Sequence, residues 1–146
     1  MGRVVRVVLG VLVVALVGAQ AIRPERTNPA VESDVTAPPV IAGLLRRACY
    51  DCHSHETVWP WYSLVAPVSW LVAHDVREGR EELDFSTWAK YGPVKKAKKL
   101  RETADQVREK EMPPWLYLVG HREARLTDAE RQALATWCAD ELAKLR

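Results

Sequence analysis

The segment Cys49-Tyr50-Asp51-Cys52-His53 sets two thiols three positions apart with an imidazole immediately after the second. Four kinds of chemistry use such a grouping: covalent haem attachment, a redox dithiol, half of a zinc site and a plain disulfide. Attachment of haem needs two thiols to form thioethers with the vinyl groups and a histidine that reaches the iron from the same side. Cys49, Cys52 and His53 have that order. A thioredoxin-like pair belongs after a strand in a βαβ unit, and the chain has no strand pattern of useful length. A zinc site needs a second ligand pair, for which only His55, His74, His121 and Cys138 remain. A disulfide leaves His53 unexplained. The pattern therefore favours one covalent haem c with His53 as the proximal iron ligand. Cys138 is then an odd thiol packed inward as a small hydrophobe.

The other face of the iron requires a ligand. Met112 is the candidate, because the chain has only two methionines, one of them the initiator, and Glu111-Met112-Pro113-Pro114 stiffens the loop that carries it. His74 and His121 are the alternatives, and a bis-histidine iron would have the lower potential. His55 lies too near His53 to cross to the far face and reads as a loop or surface residue. A flat porphyrin also needs large apolar walls, for which Trp59, Trp61, Trp70 and Trp115 are available. The Pro60 carbonyl is the expected partner of the second ring nitrogen of His53. Asp51, Glu56 and Asp75 form no paired arrangement suited to acid-base catalysis, so an enzyme is not expected.

The elements that must position these groups are helical. Arg3 and Arg6 precede an unbroken apolar run from Val7 to Ala19, and Ala19-Gln20-Ala21 has the form of a signal-peptidase site. Residues 1–22 thus read as a signal peptide or a membrane anchor helix, with the rest of the chain on the periplasmic side. Residues 23–39 hold four prolines and read as an extended tether. Residues 40–146 form one domain. Val40, Leu44, Leu45 and Ala48 have helical spacing running into Cys49, and Leu64 to Arg80 reads as a helix with Val65, Val68, Trp70, Leu71 and Val72 as its apolar positions. Asp84 to Trp88 resembles a cap, Pro93 to Glu111 a charged exposed helix, and Thr127 with Glu130 a capping box for a last helix that turns Leu134, Trp137, Cys138 and Leu142 inward.

The chain carries 21 basic and 19 acidic residues, and without Arg3 and Arg6 it is formally neutral. That balance gives no reason to expect a nucleic-acid partner. Lys90, Lys95, Lys96, Lys98, Lys99 and Arg101 nevertheless form a run free of acids, either a solvated helix face or a docking patch for a redox partner protein or anionic lipid.

The order of helix, Cys-x-x-Cys-His, Met-Pro and capped terminal helix resembles the single-haem cytochrome c fold. More narrowly, residues 23–144 resemble the exported haem-binding domain family. The resemblance rests on Cys49 to Ser54, Trp59 to Ser63, Ala66 to Leu71, Asp75 to Arg80, Phe85 to Trp88, Met112-Pro113 and His121. It implies haem binding at a membrane-facing or periplasmic site. The expected molecule is an all-α, cytochrome c-like haem domain behind a transmembrane or signal helix and a Pro-rich tether, acting as a single-haem electron carrier. Two other roles stay open: a peroxidase-like or gas-binding protein with an open distal site, and a haem-bearing accessory or sensor subunit of a membrane complex.

Overall fold

The computed structural model describes residues 2–145. They form α1 (Arg3–Ala19), α2 (Pro39–Ala48), α3 (Tyr50–His53), α4 (Val68–Glu82), α5 (Pro93–Arg108), α6 (Trp115–Gly120) and α7 (Asp128–Ala143), joined by short 3-10 turns. No β-strand occurs among the described residues beyond one isolated bridge between Ser33 and Thr87. The fold is all-α, as the periodicity predicts.

The core lies where α5 and α2 both pack on α7. Proline at the first position opens α2, where its missing N–H is no loss. Ile41, Leu44, Leu45 and Ala48 then bury one face at i, i+3, i+4 and i+7. Val40, expected on that face, points to solvent, and Ile41 takes its place. The capping box of α7 is present. Glu130 N–H donates to Thr127 Oγ1 (3.2 Å), and Thr127 N–H donates to Glu130 Oε2 (2.7 Å). Leu134, Trp137 and Cys138 are buried and Leu142 is half-buried against the core.

Three expectations change. Residues 64–67 do not join α4, which starts at Val68 after the 3-10 turn Trp61–Leu64. The positions expected to be apolar and inward mostly face out: Val65, Val68, Trp70 and Leu71 are exposed, whereas Ser69 and Val76 are buried. Residues 23–38 are extended but not a free tether, because their polar groups find partners along the domain. Asn28 Nδ2 donates to the Thr57 carbonyl (2.9 Å), Arg80 Nη1 to the Thr27 carbonyl (2.9 Å) and Tyr50 Oη to Asp34 Oδ1 (2.7 Å). The backbone N–H groups of Glu32 and Ser33 both reach the Ser86 carbonyl at 3.0 Å.

The first segment is helical with no buried residue. No helix among the described residues is long and apolar enough to cross a membrane. At 17 residues α1 falls short of the roughly 20 that a span requires.

Candidate cofactor site

One cavity of about 550 Å3 gathers most of the chemistry-bearing residues. Cys49, Cys52, His53, His74 and Met112 all line it. Its size falls within the roughly 300–1,000 Å3 of small-molecule and cofactor sites.

α3 follows α2 after a single residue, so the motif is wound into one helical turn. His53 N–H bonds back to the Cys49 carbonyl (2.9 Å), which draws the imidazole and both thiols to the same wall. His53 Nδ1 lies 2.8 Å from the Gly79 carbonyl and 3.0 Å from the Leu83 carbonyl. Two carbonyls can only accept, so Nδ1 carries the proton and Nε2 keeps a free lone pair. Burial pushes the imidazole pKa down, against the two backbone bonds that raise it, and the ring is held neutral. A neutral ring with its far nitrogen anchored is the form that binds a metal. The expected Pro60 partner is corrected. The Pro60 carbonyl accepts from Ser63 instead, because the 3-10 turn folds it onto its own loop.

Gly79 makes the anchor possible. A Cβ there would stand 2.5 Å from the Cys52 carbonyl oxygen and 3.0 Å from Cys52 Cβ, so α4 can lie this close to α3 only with glycine at the contact. Phe85 stands edge-on to the His53 ring at 6.4 Å and stacks on Tyr50 at 5.4 Å. Its N–H donates to the His53 carbonyl (2.8 Å).

Cys49, Cys52 and Cys138 are free thiols. Burial pushes Cys49 up to about 12, with Cys138 and Cys52 adding to the rise. Burial likewise lifts Cys52 to about 12, helped by Asp51 and Asp75 and opposed by Arg80. Neither is a reactive thiolate of the redox-dithiol kind. Among the described residues, no cluster of three or more His, Cys, Asp or Glu could hold a metal ion, so the zinc alternative lacks its second half.

Met112 reaches the cavity from the connection between α5 and α6. Arg131, buried in α7, donates through Nη1 to the Val107 carbonyl (2.9 Å) and the Met112 carbonyl (2.7 Å), fixing the backbone that carries the thioether. Met112 N–H donates to the Gln106 carbonyl (3.2 Å). His74 also borders the cavity, from the exposed side of α4. His121 is not on the wall. Its Nε2 is 2.8 Å from Tyr62 Oη, its Nδ1 is 3.3 Å from Glu123, and its ring stacks on Tyr117 at 4.1 Å. Of the two alternative ligands, His74 lines the cavity and His121 does not.

None of the four tryptophans proposed as walls lines this cavity. Trp61 and Trp115 are each 76% exposed, Trp70 donates its indole N–H to the Ile22 carbonyl (2.8 Å), and Trp59 reaches Asn28. Phe85 and Tyr117 supply the aromatic surface. Tyr117 Oη donates to Asp51 Oδ2 (2.8 Å) and Val58 N–H to Asp51 Oδ1 (2.9 Å), so Asp51 ties the motif to α6 and is structural. His55, read as a surface residue, has a mostly buried side chain bonded to Asp84 (2.8 Å) and the Ala30 carbonyl (2.8 Å). Lys99 likewise leaves the exposed basic run. It is buried on the cavity wall between Glu82 (3.2 Å) and Glu102 (2.8 Å).

The anchoring glycine had a sequence signal, since an interior helical glycine costs about 1 kcal/mol relative to alanine and needs a reason. Phe85 had one too, as the sole phenylalanine of the chain. Arg131 and Tyr117 had none. A family model described as haem-binding domain matches residues 14–140. No curated protein and no solved structure matches the chain.

Proposed function

The chain belongs to the haem-binding domain family, and from its cavity we propose that it holds one haem c covalently and serves as an electron carrier. Haem binding follows from the membership. The finer reading is supported above all by His53, whose Nδ1 is locked by two carbonyls while Nε2 is left free beside two thiols. Cys49 and Cys52 would carry the thioethers, His53 would be the proximal ligand and Met112 the distal one. Bound there, the haem supplies an iron that gains and loses one electron. The chain's own contribution is a frame: Gly79 and Leu83 fix the imidazole, Arg131 fixes the Met112 backbone, and Phe85 and Tyr117 line the wall.

The Arg-flanked apolar segment supports export, with the domain on the periplasmic side of the cytoplasmic membrane. Exposed Lys95, Lys98 and Arg101 on α5 would dock an acidic redox partner, an association that weakens with salt.

Oxidised and reduced absorption spectra test the ligand assignment. The ferric protein should show the weak near-infrared methionine band. Met112→Ala should abolish it and let carbon monoxide bind the reduced iron, and His74→Ala should leave it unchanged. A wild-type protein without the band that binds carbon monoxide readily would replace this reading with the gas-binding one.

A further inference from the structure

From Thr57 to Ala73 the chain carries no charged residue, in a protein with 27% charged residues. Its buried residues are the small Thr57, Ser63, Ala66 and Ser69, and its large apolar side chains mostly face out. Leu64 is 63% exposed, and Val65, Val68, Trp70 and Leu71 are exposed with it beside the outward-facing Trp61. Their position is specific, because the C-terminal end of α1 is clamped to the same loop. Gln20 Oε1 accepts from Ala66 N–H (3.0 Å), Gln20 Nε2 donates to the Ala66 carbonyl (3.2 Å), and the Trp70 indole reaches the Ile22 carbonyl. Tyr62, bonded to His121, brings α6 alongside, and α6 exposes Trp115, Leu116 and Val119.

We propose that this face, centred on Leu64, Val65, Val68 and Leu71, docks on the lipid bilayer where α1 enters it. The inference rests on reading α1 as a membrane segment. Beyond Arg6, α1 is apolar on all sides and none of its residues is buried, so lipid is the medium that suits it. Its apolar run, residues 7–19, extends about 20 Å, some 10 Å less than a hydrocarbon core of about 30 Å. Interfacial apolar groups sink roughly 5–10 Å into the headgroup boundary. A domain seated on this rim makes up the deficit, with Trp61 and Trp70 at the headgroup level where indoles concentrate. The Gln20 and Trp70 bonds hold rim and helix in register, as a loose leader would not.

Reconstitution of the full-length haem-loaded protein in phosphatidylcholine–phosphatidylglycerol vesicles tests the proposal. The vesicles carry a phospholipid with a diazirine on the acyl carbons nearest the glycerol, and adducts are mapped by peptide mass spectrometry after irradiation. Adducts are expected in 3–19 and in 61–71, with none in α5 or α7. Replacing Leu64 and Val68 together by Glu, both on the surface, should remove the 61–71 adducts and leave those in 3–19 and the haem spectrum intact. Adducts in 3–19 without any in 61–71 would overturn the docking alone and assign the face to a protein contact. Adducts in neither would overturn the membrane reading as well, and 61–71 adducts that persist in the double variant would overturn the named face.

Discussion

Gly79 illustrates how a residue without a side chain can determine a site. On helix propensity alone, Gly79→Ala should stabilise α4 by about 1 kcal/mol. The 2.5 Å approach to the Cys52 carbonyl reverses the sign, because backbone rather than a flexible side chain stands in the way. We expect a loss of about 3 kcal/mol in denaturant unfolding, the upper range for overpacking, together with less haem bound per chain. Stabilisation would contradict the close contact. That Cys49, Cys52, His53 and Met112 share one cavity agrees with their residue types and spacing, which are what the sequence displays. The partner of His53 was not legible, since a backbone carbonyl leaves no mark in the sequence. The tryptophans misled for a physical reason: an indole suits a wet surface or an interface as well as a cofactor wall.

At the scale of elements, the terminal helix was read well because its start is local. Its Glu130 carboxyl is held down to about 2 from an ordinary 4.5, first by the Thr127 N–H and then by Arg47. A depressed carboxylate contributes stability above pH 4.5 and loses it as the pH falls through about 2. Glu130→Gln keeps an acceptor for the cap and removes the charge. Urea unfolding should find it less stable than wild type at neutral pH, with the difference vanishing toward pH 2. A constant difference would show that the carboxylate charge does not stabilise the helix. Leu45, fully buried in α2 just before the motif, tests the other side of the core. Leu45→Ala should cost about 2–5 kcal/mol in the same measurement, and a loss under 1 kcal/mol would contradict the packing. The limits of α4 were misread because Pro67 and the turn before it interrupt a pattern that, on hydrophobicity alone, runs on. That pattern was apolar without being inward.

For the whole molecule, the all-α architecture and the order of its parts were visible in periodicity, prolines and caps. The packing of residues 23–38 against the domain was not, because it is made by single polar bonds between segments some 30 to 50 positions apart. The same long-range placement brings α3, α4 and the residues after α5 around one cavity. We propose that this cavity holds a single haem through Cys49 and Cys52. Intact mass spectrometry of the full-length protein, expressed with a c-type haem maturation system and denatured in acid before analysis, tests it most directly. The expected result is a mass increment of one haem that survives denaturation and disappears when Cys49 and Cys52 are replaced by serine. An unmodified polypeptide mass, with the haem extracted free into the acid, would contradict it.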